Sequence, residues 1–305
     1  TGDEALARGT TVRTTLGLRY RLNDPWRATL LTRSRSAYCA RHRAEATLAT
    51  ALDRGPEVGL RPGLEARLAV LDARWPQAEA LLEQARRARA ASQITDRRLV
   101  ALRVQVDELR ASRVQTEAEL ERLDPSPVVP PPRPLSALQS EGVRAASEQI
   151  DAEMDARLAR WWDVEISGGY DQLWGIEQSL PIFATVQLEL DLGRLVEGSA
   201  RSRASAAYAR YRESDGEGVG ARVDDLRRRL EARRREQSAR LEDVRLLLAD
   251  LDDRLDGLRE QQSALAQDYA TDLWFRQTEL QAERASLEAS LSAVTPYLRA
   301  AFASP

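Results

Sequence analysis

The chain has 305 residues, 43% hydrophobic and 30% charged, with a formal net charge of −3. This length suits one large or two medium domains, and the mixture of both charge signs throughout the chain argues against nucleic-acid binding. A single cysteine excludes an intramolecular disulfide, and no apolar run approaches the ~20 residues of a transmembrane helix.

The first part of the chain predicts a strand followed by a long helix. Apolar and polar residues alternate over 11–22, which is the period of a strand. "NDP" then offers an N-cap and a proline in the first helical turn, so a helix is expected over about 26–52. Three glycines and two prolines in "DRGPEVGLRPG" (53–63) predict a break.

Heptad spacing of apolar residues predicts an antiparallel helical hairpin next. One seam runs from Leu64 to Ala85, with Pro76 expected to kink or break the helix, and a second runs from Leu99 to Leu123. The polar residues 91–96 between them predict the turn. Six prolines in 125–134 predict a stiff, extended connector, and a proline-rich ligand for a partner protein is the less favoured alternative.

The second half predicts the same elements again. A helix over 135–162 leads to strands at about 163–172 and 182–192, followed by a long helix from 194. Glycines in "SDGEGVG" (214–220) predict an interruption, and "QDYATD" (267–272) predicts the reversal into a returning helix. We therefore divide the chain into a first repeat (1–124), a linker (125–134) and a second repeat (135–305).

Two segments carry a resemblance to a known family. "AASQITDRRLVALRVQVDELRASRVQTEAEL" and "DYATDLWFRQTELQAERASLEASLSAV" resemble the turn and the returning helix of outer membrane efflux proteins, the TolC-like channels. The resemblance implies a mainly α fold with two tandem coiled-coil hairpins and short antiparallel strands contributed to a shared trimeric β-barrel. It also implies a location in the outer membrane and periplasm of a Gram-negative bacterium. Outer membrane lipid, a periplasmic adaptor and an inner-membrane pump would be the partners.

The resemblance also implies site residues. Asp272 matches a family carboxylate that lines the periplasmic constriction, whereas Phe275 stands where the family has a second carboxylate. Thr95 and Asp96 match a pair that makes gate contacts. The turns at 92–96 and 268–272 would meet the adaptor; their remaining members are Ser92, Gln93, Ile94, Tyr269, Ala270 and Thr271.

The strand over 182–192 bears carboxylates along one face. Val186, Leu188, Leu190 and Leu192 alternate with Glu189 and Asp191, so a barrel would turn the acids toward a wet lumen and the apolar residues toward lipid. Four aromatic residues lie where strands meet helices and are expected to form an interfacial girdle, unless they pack beneath helix ends: Tyr20, Trp26, Trp161 and Trp162.

Some features depart from the family pattern or leave an alternative open. The glycine that often precedes each turn is absent, and three strands are found where four are expected, so a first strand is expected upstream of residue 1. The alternative function is a periplasmic helical scaffold without a pore. Catalysis, cofactors and metal sites are not expected, because His42 is the only histidine and Cys39, three residues before it, is too isolated for a metal or nucleophilic constellation.

Overall fold

The computed structural model describes residues 12–159, 162–174, 182–191, 198–259 and 263–303. Within these ranges the strands are β1 (Val12–Arg21), β2 (Trp162–Trp174) and β3 (Ile182–Leu190). The helices are α1 (Asp24–Arg54), α2 (Leu60–Ala90), α3 (Asp96–Arg122), α4 (Leu135–Leu158), α5 (Gly198–Arg259) and α6 (Ala264–Ala301), with a 3-10 turn at Gly55–Glu57. The predicted mainly α fold with long helical hairpins and three short strands is confirmed.

The chain forms two compact units, and each combines segments from both predicted repeats. The first contains Thr1–Ala46 and Gln139–Gly218, and the second contains Thr47–Leu138 and Val219–Pro305. Within the described residues, no helix has a stretch apolar and long enough to cross a bilayer.

The sheet of the first unit is antiparallel, in the order β1-β2-β3. Gly17 lies opposite Gly169, and Phe183 is the partner of Gly169 on β3. A Cβ added to Gly169 would lie 2.3 Å from a backbone oxygen of β1, so only glycine allows this close pairing. The registers also align the alternating apolar residues of the three strands, so the sheet has one apolar and one polar face.

A buried asparagine connects the two places where a strand meets a helix. The Asn23 side chain is 1% exposed, and its Nδ2 donates to the carbonyl oxygens of Ala159 (3.2 Å) and Trp162 (2.8 Å). These bonds join the end of α4 to the start of β2, and α4 ends at Leu158 rather than at the predicted residue 162. Below this junction α1 and α4 pack antiparallel through Leu30, Ala156 and Ala159.

The second unit is built around α6, which contributes to three apolar clusters. The middle cluster joins α2, α3 and α6 and confirms the two predicted heptad seams; its buried members are Leu71, Ala78, Leu102, Val106, Leu109, Phe275 and Ala282. Another joins α5 to α6 through Val244, Leu248, Leu251, Leu273 and Leu280. The largest gathers residues from α1, α4, α5 and α6, including Leu48, Leu135, Leu226, Leu230, Val294 and Tyr297.

The predicted break between the first two helices is confirmed and occupies residues 55–59. Gly59 has a φ of +79°, a conformation that L-residues with a side chain rarely adopt. Arg233 of α5 donates through Nη1 to the carbonyl oxygens of Pro56 and Val58, both at 3.1 Å. The Tyr297 hydroxyl of α6 donates to the carbonyl of Ala51 at 3.2 Å, so the break is held from two neighbouring helices.

The predicted interruption at 214–220 is wrong, and so is a break of the helix at Pro76. Helix α5 continues through 214–220, because this segment contains glycine but no proline, and each glycine costs a helix only ~1 kcal/mol. Helix α2 continues through Pro76, since a proline removes a single backbone hydrogen bond and the helix is packed on both sides of it.

Candidate functional site

The first helical turn lies where the sequence predicts it, between α2 and α3. Ser92 adopts a positive φ of 58°, and the Gln93 amide donates to the Ala88 carbonyl at 2.8 Å. Thr95 is the N-cap of α3, and its Oγ1 accepts a hydrogen bond from the Arg98 amide at 3.3 Å. Ser92, Gln93 and Thr95 are exposed and Ile94 is partly buried.

Asp96 forms an ion pair across this turn. Arg89, in the last turn of α2, donates to both carboxylate oxygens, with its Nη2 lying 2.8 Å from Oδ2. The hydrogen bond from Arg89 lowers the pKa of Asp96 from its ordinary value, and the Arg89 charge acts in the same direction. Asp96 therefore ties α3 to α2 within one hairpin, a contact that the sequence did not predict.

The second turn is not where the sequence predicts it. Helix α6 begins at Ala264, and its N-cap is Ser263, whose Oγ accepts from the Ala266 amide at 3.1 Å. Tyr269, Ala270 and Thr271 consequently lie in the first two turns of α6, not at the reversal. The sequence "ATD" (270–272) resembles "ITD" (94–96), in which Thr95 is an N-cap. In the second hairpin, however, the N-cap is Ser263, the residue that precedes the helix.

Asp272 lies in a polar cluster that joins α3 to α6. Its Oδ1 accepts hydrogen bonds from Arg98 Nη1 (2.8 Å) and Gln105 Nε2 (3.0 Å). Arg98 also contacts Asp268, with Nη2 2.6 Å from its carbonyl oxygen and Nε 3.0 Å from Oδ1. The Arg98 side chain is only 17% exposed, so this one guanidinium holds three oxygens of α6 against α3. We call Arg98, Gln105, Asp268 and Asp272 the clamp.

The sequence identified Asp272 but missed its partners. Arg98 and Gln105 are seven residues apart, and a heptad spacing places them on one face of α3, beside the apolar seam. Asp268 and Asp272 are similarly four residues apart on α6. This spacing of polar residues beside a seam was the signal available in the sequence.

The polar face of the sheet carries a second set of charges. Arg19 Nε lies 3.0 Å from Glu165 Oε1, and Arg21 Nε lies 3.2 Å from Glu165 Oε2 and 3.8 Å from Asp163. The register places Glu189 of β3 beside Asp163. Glu189 is exposed, and Asp191 follows the last residue of β3.

The opposite face of the sheet is apolar and open. Leu16, Leu18 and Val186 are 69%, 85% and 72% exposed. Tyr20 and Trp26 are also exposed and Trp162 is partly buried. Leu192 and Trp161 of the sequence predictions lie outside the described residues.

Cys39 and His42, the only cysteine and the only histidine of the chain, both lie on α1. Cys39 is a free, exposed thiol, and the ring of His42 packs edge-on against Tyr38 with their centroids 4.3 Å apart. Across the part of the chain that the structure describes, no three potential ligands of a metal ion lie together.

The fold of this chain is similar to the solved structures of several outer membrane channels. The MtrE outer membrane channel of Neisseria gonorrhoeae, in its open state, matches with a TM-score of 0.55 at 14% identity, covering 96% of this chain and 82% of that chain. The CmeC outer membrane channel of Campylobacter jejuni matches with a TM-score of 0.53 at 10% identity, covering 96% of this chain and 72% of that chain. CusC, for which transmembrane channel formation is described, matches with a TM-score of 0.52 at 15% identity, covering 93% of this chain and 77% of that chain.

Sequence comparison adds no relative to this set. No protein-family model matches the chain, and no curated protein matches it. The chain has the fold of these outer membrane channels, at a sequence identity that leaves its function to be argued from its own residues.

Proposed function

We propose that this chain, which has the fold of outer membrane efflux channels, is one subunit of a TolC-like export duct built by three copies. Each copy contributes the three described strands to a shared β-barrel in the outer membrane and its helices to a tunnel through the periplasm. Substrates would enter from an inner-membrane pump through a periplasmic adaptor.

The exposed apolar face of the sheet is the observation that carries this proposal. Leaving a leucine or valine in water rather than burying it costs about 1.5–3 kcal/mol per side chain, and this face presents several, among them Leu18 and Val186. The other face is polar and charged, so the sheet cannot pack that side into an apolar core. Lipid on one side and water on the other satisfies both faces.

The open edges of the sheet support assembly from several copies. In the described sheet β1 and β3 each pair with β2 on one side only, which leaves two rows of backbone groups to be paired. Unpaired edges invite pairing with other strands, and joining copies into a closed barrel removes every edge. A scaffold without a pore offers no comparable reason for an apolar, open-edged sheet.

The clamp would close the periplasmic end of the tunnel. Arg98 binds Asp268 and Asp272 across two helices, so splaying the hairpins of one subunit requires these contacts to break. Thr95 and Asp96 act within the first hairpin by fixing its turn. The adaptor would bind beside the turns, at Ser92, Gln93 and Ile94 and at Tyr269, Ala270 and Thr271 in the first turns of α6.

Substitutions on two adjacent residues of β3 test the barrel. Val186 lies on the apolar face and Gln187 on the polar face, so Val186→Arg would place a charge in lipid and Gln187→Arg would place it in water. An arginine facing lipid costs about 2–4 kcal/mol near the bilayer centre, so we expect only the first variant to lose trimers and pores. The assays are light scattering in detergent and conductance in planar bilayers.

The outcomes separate the duct from its alternative. A clean monomer for the unmodified protein, with no conductance, would refute the duct. Equal tolerance of both arginine variants in a conducting trimer would refute the placement of the apolar face toward lipid.

A further inference from the structure

We infer that Glu189 sets the charge selectivity of the duct and favours cationic over anionic solutes. The inference rests on the proposed function, in which the polar face of the sheet lines the pore. It depends on how the charges of the three strands compensate one another.

The charges of β1 and β2 cancel. Arg19 and Arg21 bind Glu165 from two directions, and Arg21 also approaches Asp163. The arginines cover these carboxylates, so that Glu165 is 16% and Asp163 26% exposed, while the Arg19 side chain remains 70% exposed. With Arg13 of β1 and Asp171 of β2, the two strands carry three positive and three negative charges, so they present little net field to a passing ion.

Glu189 on β3 is left uncompensated. It lies beside Asp163 in the register, and the arginine nearest to that carboxylate, Arg21, is already engaged by Asp163 and Glu165. Among the described residues no hydrogen bond or ion pair is found for Glu189, and its side chain is exposed. Asp191 has a contact of its own and is not counted.

The arrangement has a defined electrostatic consequence. Three copies would place three Glu189 carboxylates around one ring, inside a wall of low dielectric constant that concentrates their field. Screening limits this field to about 10 Å at 0.1 M salt, so cations should be enriched most strongly when the ionic strength is low.

Gln187 supplies a matched control on the same strand. It lies two residues from Glu189 on the same face, opposite Glu165 in the register, and has the shape of a glutamate without the charge. The swap Glu189→Gln with Gln187→Glu keeps the net charge of the wall and moves it by one pleat.

The test measures the permeability ratio of K+ to Cl− from reversal potentials across planar bilayers, with the full chain as the trimer. At low salt Glu189→Gln should lower this ratio at least about two-fold, since the fixed charge that concentrates cations is lost. The swap should restore the ratio, and Gln187→Glu alone should raise it above that of the unmodified protein.

Each outcome decides the matter. An unchanged ratio in a conducting Glu189→Gln trimer, or in Gln187→Glu if the former does not assemble, overturns this inference and leaves the duct standing. Absence of any conductance from the unmodified trimer overturns the duct, and this inference with it.

Discussion

Replacing Arg98 with glutamine should release the clamp between α3 and α6. Glutamine is shorter and neutral, so it loses the contacts to the Asp268 carboxylate, the Asp268 carbonyl and Asp272, and leaves Asp272 with Gln105 alone. In the proposed duct this change should favour the open arrangement of the helical turns.

The size of the effect follows from the exposure of the partners. Asp272 and Asp268 are 39% and 50% exposed, so each ion pair contributes no more than about 1 kcal/mol. The hydrogen bond from the guanidinium to the Asp268 carbonyl adds roughly 1 kcal/mol. With roughly 0.5 kcal/mol from each of the two ion pairs, the total is about 2 kcal/mol per subunit, which corresponds to a roughly 30-fold shift toward the open state.

Single-channel recording at low voltage measures this shift as open probability. Arg97→Gln is the control, because Arg97 is the exposed neighbour of Arg98 on the same helix and has no part in the clamp. In a double-mutant cycle, Asp272→Asn should add little to Arg98→Gln, since both substitutions remove the same Arg98–Asp272 ion pair. Equal open probabilities for the two arginine variants, or fully additive effects in the cycle, would refute the clamp as the closing element.

Three further predictions concern stability. Asn23→Ala removes the amide that joins the strand–helix junctions and should lower the free energy of unfolding in guanidinium by about 1–3 kcal/mol, because buried carbonyls lose their donor; an unchanged value would contradict this. Gly59→Ala should cost about 1–3 kcal/mol, since φ is +79° and the new methyl would lie 2.7 Å from a backbone oxygen of α6. Gly218→Ala, which meets nothing within 4 Å, should be neutral or stabilise by up to ~1 kcal/mol, and equal costs at both glycines would refute the packing argument. Arg89 lowers the pKa of Asp96 in the folded protein. The stability that this ion pair adds is therefore fully present at pH values above the ordinary pKa of an aspartate, and it is lost as the pH falls through the lowered pKa of the folded state. The thermal midpoint of Asp96→Asn should therefore lie below that of the unmodified protein at neutral pH and converge with it well below pH ~4; a difference that persists at all pH values would exclude the pair.

The elements that follow from local chemistry could be predicted from the sequence. Alternation fixes the sheet faces, and the helix break at 55–59 follows from Pro56 and from Gly59, which alone tolerates its φ. Thr95 caps α3 because its hydroxyl accepts from the Arg98 amide, one of the first-turn amides that have no carbonyl four residues earlier within the helix.

The two errors have different physical causes: packing outweighs a local signal at 214–220, and a local capping signal was missed at the second turn. The glycines of 214–220 weaken a helix by a small amount per residue, and apolar contacts farther along α5, at Leu226 and Leu230, hold it in place. The second turn was assigned by likeness to the first, whereas the capping residue, Ser263, stands five residues before the matched segment starts.

The clamp could not be assembled from the sequence. Arg98 and Asp272 are 174 residues apart, and only the packing of α2, α3 and α6 around Leu102, Val106 and Phe275 brings them together. A single sequence shows that Arg98 and Asp272 are polar residues beside apolar seams, but it does not show which seam packs against which.

The bonds that Arg233 and Tyr297 make at residues 51–58 turn the α1–α2 junction into a fixed anchor. Helix α2 has 31 residues, so its far end lies about 46 Å away at 1.5 Å per residue. Helix α2 then acts as a lever: a tilt of only about 10° at the anchored end carries the residue 91–95 turn through roughly 8 Å, by the same rise per residue. In the proposed duct, a small rotation near Gly59 would therefore widen the aperture at the distant turn.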